Sequence, residues 1–216
     1  MKAVWVPDEG LNQVAELVTY KEKNLGQLLL DMEETLLKHE DPPGVGLAAP
    51  QVGVRLRIFL AVLSETKRQK NSSTPKLRGT GRKTEKGGIE VFINPRILKM
   101  SGSTETSKRQ KELLEGCLSL PHYYGPVTRA QEVEIEYETI ELSSIQHSES
   151  RSQNLKELVN KKKMVYKDFE ARIMQHEMDH LDGRLFTSRL LEQGGKLFKE
   201  ELEDGKQVFV PVEMEM

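Results

Sequence analysis

His176-Glu177-Met178-Asp179-His180 lies inside a stretch, residues 166–181, whose polar and apolar positions repeat with the period of a helix. Phe169, Ile173, Met174, Glu177 and His180 fall along its inward side. His176 and His180, four residues apart, stand about 40° apart around a helix and one turn along it, so both imidazoles reach a single metal ion. Glu177 stands about 100° from His176 and about 60° from His180, close enough to address a water on that ion without binding it. This is the physical content of an HExxH pattern, two nitrogen ligands and a general base. Against it stands an amphipathic helix with two incidental histidines.

Outward from that helix the chain reads mainly as strand. Residues 131–142 alternate Val133, Ile135 and Tyr137 with Glu132, Glu134, Glu136 and Glu138, which predicts a half-buried strand with an acidic outer face. Further strands are expected at 55–63, at 89–93 and in the terminal run 207–212. Residues 11–40 read as helical, with Leu28, Leu29, Met32, Leu36 and Leu37 on one face, and Asp41-Pro42-Pro43-Gly44 ends the helix. The mixture, without internal repeats or βαβ alternation, points to an α+β fold in a single domain spanning 1–216.

Two polar inserts interrupt it, at about 64–88 and 143–163. The first carries eight basic residues against two acidic ones, a net charge of +6, which leaves −8 on the rest of a chain whose total is −2. It reads as a long loop. Its charge leaves room for weak contact with a polyanion. It has no aromatic residue for base stacking, though, and charge runs are ordinarily solvated faces, so no sequence-specific nucleic-acid contact is expected. With 37% hydrophobic and 31% charged residues, the composition is that of a water-soluble globular protein. No apolar run approaches the roughly 18 residues of a membrane span. The first residues, Met1-Lys2-Ala3-Val4-Trp5-Val6-Pro7, lack a charged region followed by an apolar stretch, so the cytoplasm is the expected compartment.

One cysteine, Cys117, excludes an intramolecular disulfide and leaves either a buried inert thiol or a residue kept for chemistry. It stands in Glu115-Gly116-Cys117-Leu118-Ser119-Leu120-Pro121, where a glycine allows close backbone approach and a proline soon after fixes the chain. Thiolate suits zinc or ferrous iron, and one cysteine with two histidines leaves a fourth position for water.

Three segments in order, Gly44-Val45-Gly46-Leu47-Ala48-Ala49-Pro50-Gln51, Glu115-Gly116-Cys117-Leu118-Ser119 and His176-Glu177-Met178-Asp179-His180, together resemble the signature motifs of the peptide deformylases. Val6-Pro7-Asp8 and Gly183-Arg184-Leu185-Phe186 are also similar to family members, and the resemblance runs from residue 1 to about 190. It implies antiparallel β-sheets packed around a central helix that carries HExxH. It implies hydrolysis of the formyl group from N-formyl-methionyl peptides of newly made proteins, with release of formate.

Carried over by motif, the metal ligands are Cys117, His176 and His180. The ion is ferrous iron, with zinc, nickel or cobalt able to stand in. Glu177 is the base and then the acid, while the Gln51 amide and the Leu118 N–H meet the oxyanion. The main chain of Val45, Gly46 and Gly116 is expected to bind the peptide, and Val45, Leu113, Phe169 and Ile173 to hold the methionine side chain. Glu115 and Arg129 are expected to form a supporting polar pair. For an enzyme acting on nascent chains, the basic segment 64–88 would make weak contact with the ribosome.

A zinc endopeptidase also uses HExxH, but its third ligand is normally a His or Glu beyond the helix. No histidine follows His180. A non-catalytic peptide-binding relative would show a broken ligand or base, and all five chemical positions are intact.

Overall fold

The computed structural model describes residues 8–39, 43–63, 88–101, 114–146, 155–203 and 206–212. Leu11, Ala15 and Val18 are spaced like the face of a helix and all three are buried, yet only α1, Leu25–Lys38, is α-helical in the region expected to be helix throughout 11–40. Residues 13–24 instead run as a strap. Ala15 N–H donates to Leu181 O, Glu16 N–H to Arg55 O, and Arg57 N–H to Glu16 O. The Asn94 side chain clamps both the N–H and the carbonyl of Val18, at 2.8 and 3.0 Å. Backbone groups thus satisfied by neighbouring elements do not need an i→i−4 ladder.

Strands β1 (Gly46–Ala48), β2 (Ile58–Leu63), β3 (Gly88–Met100), β4 (Glu115–Cys117), β5 (Leu120–Gly125) and β6 (Glu132–Thr139) follow. After the short helix α2 (Leu142–Gln146) come β7 (Asn160–Lys167), α3 (Asp168–Leu181), α4 (Phe186–Glu192), β8 (Leu197–Glu203) and β9 (Lys206–Val212). Two antiparallel sheets result, ordered β1-β2-β3-β6-β7 and β4-β5-β8-β9. The fold is α+β, as expected.

Several boundaries differ from the sequence reading. The β3 strand runs on past Ile93 to Met100 through register shifts on its β6 partner. The expected insert 143–163 contains much of β7, so α3 begins at Asp168 and not at 166. Strand β7 exists because its lysines meet the glutamates of β6. Lys161, Lys163 and Lys167 reach Glu138, Glu134 and Glu132 at 3.8, 3.2 and 2.7 Å. Lysines along this exposed edge also discourage further strand pairing. The terminal strand β9 forms as expected, but as the second arm of a hairpin with β8.

Strands β1, β2 and the first half of β3 are covered on both faces, which is why β2 reads as an unbroken apolar run, while β7 at the far edge is largely exposed. Phe59, Ala61, Phe92, Val133, Ile135 and Tyr137 face α3 and pack with Ile173, Met174, Met178 and Leu181. Ile58, Leu60, Val91 and Ile93 face α1 and pack with Leu25, Leu29, Met32 and Leu36. Phe59 stacks on Phe92 with ring centroids 4.4 Å apart. Helix α4 lies under the second sheet, where Phe186, Leu190 and Leu197 enclose the apolar side of Cys117.

Candidate metal centre

The end strands of the two sheets, β1 and β4, border one cleft, and α3 forms its floor. The cleft encloses about 220 Å³ and its lining includes Val45, Gly46, Gln51, Gly116, Cys117, Leu118, His176 and Glu177. At its base the ligand atoms of Cys117, His176 and His180 lie within 4.8 Å of one another. Cys117 Sγ is 3.2 Å from His180 Nε2, which is 3.2 Å from His176 Nε2.

The chemistry of these donors fits a divalent ion. Burial opposes charge on the Cys117 thiol, but the imidazoles of His180 and His176 overrule it and hold the thiol well below its ordinary range. A thiolate is the form that binds metal. His176 Nδ1–H donates to Glu115 Oε1 at 2.7 Å, which orients the ring with Nε2 toward the other two donors. His176 is held well above its usual value: burial works against the charge, and the thiolate and Glu115 outweigh it.

Gln51 is buried. Its Oε1 accepts from Ala48 N–H at 2.8 Å, and its Nε2 donates toward Cys117 Sγ and Ser119 Oγ at 3.4 and 3.3 Å. The amide N–H groups are therefore aimed at the ligand cluster by a bond on the opposite atom. Glu177 is almost wholly buried. Burial pushes its carboxyl up to about 7, the two histidines pulling the other way, and Oε2 has no partner. Its carboxylate fills the space a side chain on residue 46 would take. A Cβ there would stand 2.7 Å from Glu177 Cδ and nearer still to Oε1. The glycine at 46, expected to admit a peptide, is first of all what admits the Glu177 carboxylate.

Behind the ligands lies a network that the sequence reading saw only in part. Arg129 donates to Glu115 (2.6 and 3.1 Å) and to Asp179 Oδ2 (2.5 Å), so the expected Glu115–Arg129 pair is present and buried. Arg172 adds a second cation, donating to Glu115 Oε2 at 3.0 Å, and Arg189 a third, donating to Asp179 Oδ1 at 2.6 Å. Despite burial, Arg129 and His176 draw Glu115 well below the ordinary carboxylate range, and Arg189 and Arg129 lower Asp179. Gln175 stitches α3 to Ala130, accepting from its N–H and donating to its carbonyl, each at 2.9 Å. The available signal was Asp179 within the HExxH run and Arg172 one turn before His176.

Of the residues expected to hold a methionine side chain, Val45, Phe169 and Ile173 line the cleft. Phe169 is at its mouth and about half exposed, not on the buried side of the helix as its spacing implied. Leu113 lies outside the described residues, and its neighbour Leu114 lines the cleft. The carbonyl of Val45 already accepts from Val62 N–H at 2.9 Å, which leaves less of its main chain for a peptide than expected. The basic segment 64–87 and the expected ribosome contact also fall outside the described residues. Among those residues no helix is long and apolar enough to cross a membrane.

Two antiparallel sheets around a helix that presents two histidines and a carboxylate beside a cysteine define a metallohydrolase. Comparison with known proteins narrows this. Residues 1–195 match the model of the polypeptide deformylase family. Peptide deformylase 1 of Bacillus subtilis (strain 168) is 34% identical over 189 residues, which cover 88% of this chain and 89% of that one. Among solved structures, peptide deformylase from Ehrlichia chaffeensis superposes with a TM-score of 0.61 at 31% identity, covering 88% of this chain and 87% of its own. A Met-Ala-Ser-bound class I type b peptide deformylase from Acinetobacter baumannii gives 0.60 at 27% identity, covering 88% and 97%. The chain belongs to the polypeptide deformylase family, metal-dependent hydrolases that remove the N-terminal formyl group from nascent peptides.

Proposed function

We propose that this protein hydrolyses the formamide of N-formyl-methionyl peptides at a divalent ion held by Cys117, His176 and His180, within one catalytic domain. The observation that carries this reading is the convergence of those three ligands with a buried carboxylate, Glu177, whose Oε2 has no partner, in one cleft. A divalent ion there, ferrous iron by its match to one thiolate and two imidazoles, with zinc, nickel or cobalt as substitutes, supplies Lewis acidity and makes water acidic near neutral pH.

The protein's own groups do the rest. Glu177 takes a proton from the attacking water and passes it to the departing amine, and a carboxyl held near 7 suits both tasks. Gln51 Nε2 and the Leu118 N–H donate to the formyl oxygen as its charge develops. An extended peptide laid between the end strands β1 and β4 pairs with the main chain at Gly46 and Gly116. That places its first side chain among Val45, Phe169 and Ile173. The Acinetobacter baumannii relative with Met-Ala-Ser bound supports a peptide beginning with methionine as the occupant. Work on nascent chains places the protein in the cytoplasm, where the +6 segment 64–88 gives weak attraction to the ribosome.

Formate release from formyl-Met-Ala-Ser by protein purified anaerobically and loaded with ferrous iron is the direct test. Absence of turnover with metal bound refutes the reading. Deletion of residues 66–86 is expected to weaken co-sedimentation with ribosomes at low salt and leave peptide turnover intact.

A further inference from the structure

Tyr124 on β5 lines the cleft and pairs directly with Gly116 on β4. Residues opposite each other in an antiparallel pair point to one face, and Gly116 has no side chain to meet the ring. The Tyr124 ring therefore lies over the Gly116 main chain: a Cβ on Gly116 would stand 2.7 Å from its Cε1 and 2.8 Å from its Cδ1. The β8–β9 hairpin holds the ring there. Phe198 on β8 pairs with Tyr124, and Glu200, two residues on, shares that face. Phe209 on β9 pairs with Glu200 and meets the Tyr124 ring edge to face, with centroids 5.5 Å apart. The Glu200 carboxylate accepts from the Gln207 amide and the Tyr124 hydroxyl, which hold it below its ordinary range against burial. Tyr124 stays partly exposed and Phe209 is 43% exposed, so this support is not part of a closed core. It also lies beyond residues 1–195, the part of the chain that matches the family model.

Alternation along β4 decides which part of a peptide reaches the ring. Glu115 sends its side chain to Arg172 and His176 on α3, so its neighbour Gly116 faces away from that helix, and Tyr124 with it. Strand β4 ends its sheet, and a peptide strand along its open edge alternates in the same way. With the first side chain turned toward α3, among Phe169 and Ile173, the second points away from the helix and across Gly116. Neighbouring strands lie about 4.8 Å apart, and the ring already covers the glycine between them, so the two side chains meet without movement of either strand.

We propose that Tyr124 is a specificity-determining residue for the second residue of the formyl peptide, and that Glu200 and Phe209 are positioning residues that hold its ring over Gly116. The cleft then favours an aromatic or large apolar side chain directly after methionine. The inference rests on the deformylase reading and the peptide path given above. Aromatic pairs attract beyond the area they bury, whereas a glycine in that place offers the ring nothing.

The test compares kcat/KM for formyl-Met-Phe-Ser and formyl-Met-Gly-Ser, read as formate released by metal-loaded wild type, Y124A, F209A and the double variant. The wild type is expected to favour the phenylalanine peptide about fivefold or more, chiefly through KM. Y124A is expected to bring that ratio to within about twofold of one. F209A is expected to lower it about twofold or more, and to change it no further once Tyr124 is gone, since Phe209 acts through that ring. A wild-type ratio near one, or a preference that survives Y124A, overturns the assignment. A purely structural role would depress both peptides by the same factor and leave the ratio in place, which also overturns it. Should Y124A fail to fold or to hold metal, F209A decides alone, and an unchanged ratio there overturns the proposal. Equal turnover of the two peptides removes the Tyr124 assignment only. No turnover of either, with metal bound, removes the deformylase reading with it.

Discussion

The two flanks of helix α3 are built to opposite standards. On the flank toward Arg129, Gln175 and Asp179 make a full set of hydrogen bonds to Ala130, Ala171, Arg129 and Arg189. On the flank toward the cleft, Glu177 Oε2 and His180 Nδ1 are buried with no partner. Buried polar atoms are nearly always satisfied, so this one-sided deficit is a signature of a site awaiting other atoms. The saturated flank holds the helix, and the unsatisfied flank reacts.

If that division is correct, substitutions on the cleft side act on turnover and those on the other side act on metal hold or stability. The largest effect is expected for Glu177→Gln, which keeps the shape and removes the base. Formate release should fall by about 10²–10⁴-fold while metal content stays unchanged. Full activity in that variant breaks the assignment. Next comes Gly46→Ala. The added methyl overlaps the Glu177 carboxylate and must push it aside, and a displacement of about 1 Å costs on the order of 10²-fold in rate. A drop in kcat with the metal retained supports this account of the glycine. A change confined to KM would return Gly46 to a purely peptide-binding role.

What could be read in advance follows the same division. Metal ligation and general-base work demand particular residue types at helical spacing, so His176, Glu177 and His180 stood out, and the setting of Cys117 tied it to them. Arg172 and Arg189 did not stand out. Their partners are 57 and 10 residues away in the chain, and an arginine in a helix reads as solvated until its acceptor is known. Strand β7 was hidden for a related reason. Its lysines gain strand character only against the glutamates of β6, and a lysine run alone suggests a loop. The strap at residues 13–24 misled in the other direction, because Leu11, Ala15 and Val18 reproduce a helical period while lying on neighbouring elements.

Glu115 joins the two flanks, since one carboxylate orients His176 and pairs with Arg129 and Arg172. Glu115→Gln keeps an acceptor for the imidazole but removes the charge. Metal affinity is expected to fall by about 10–100-fold, read by competition with a chelator. With metal saturating, turnover should recover most of its value. Persistent loss at saturating metal would show that Glu115 shapes the reaction itself and would blur the division of the helix.

The smallest effect on chemistry is expected for Gln175→Leu. The side chain is similar in size but makes none of the bonds to Ala130 and Ala171, and it leaves the N–H and carbonyl of Ala130 in a buried position without those partners. Stability should fall by about 1–3 kcal/mol, measured as a shift of the denaturation midpoint at saturating metal. Turnover per folded, metal-loaded molecule should change less than about threefold, because Gln175 stands about 100° around the helix from His176 and bonds only to Ala130 and Ala171. A large loss of kcat without loss of stability would mean that the saturated flank tunes the ligand geometry, and that the helix acts as one unit.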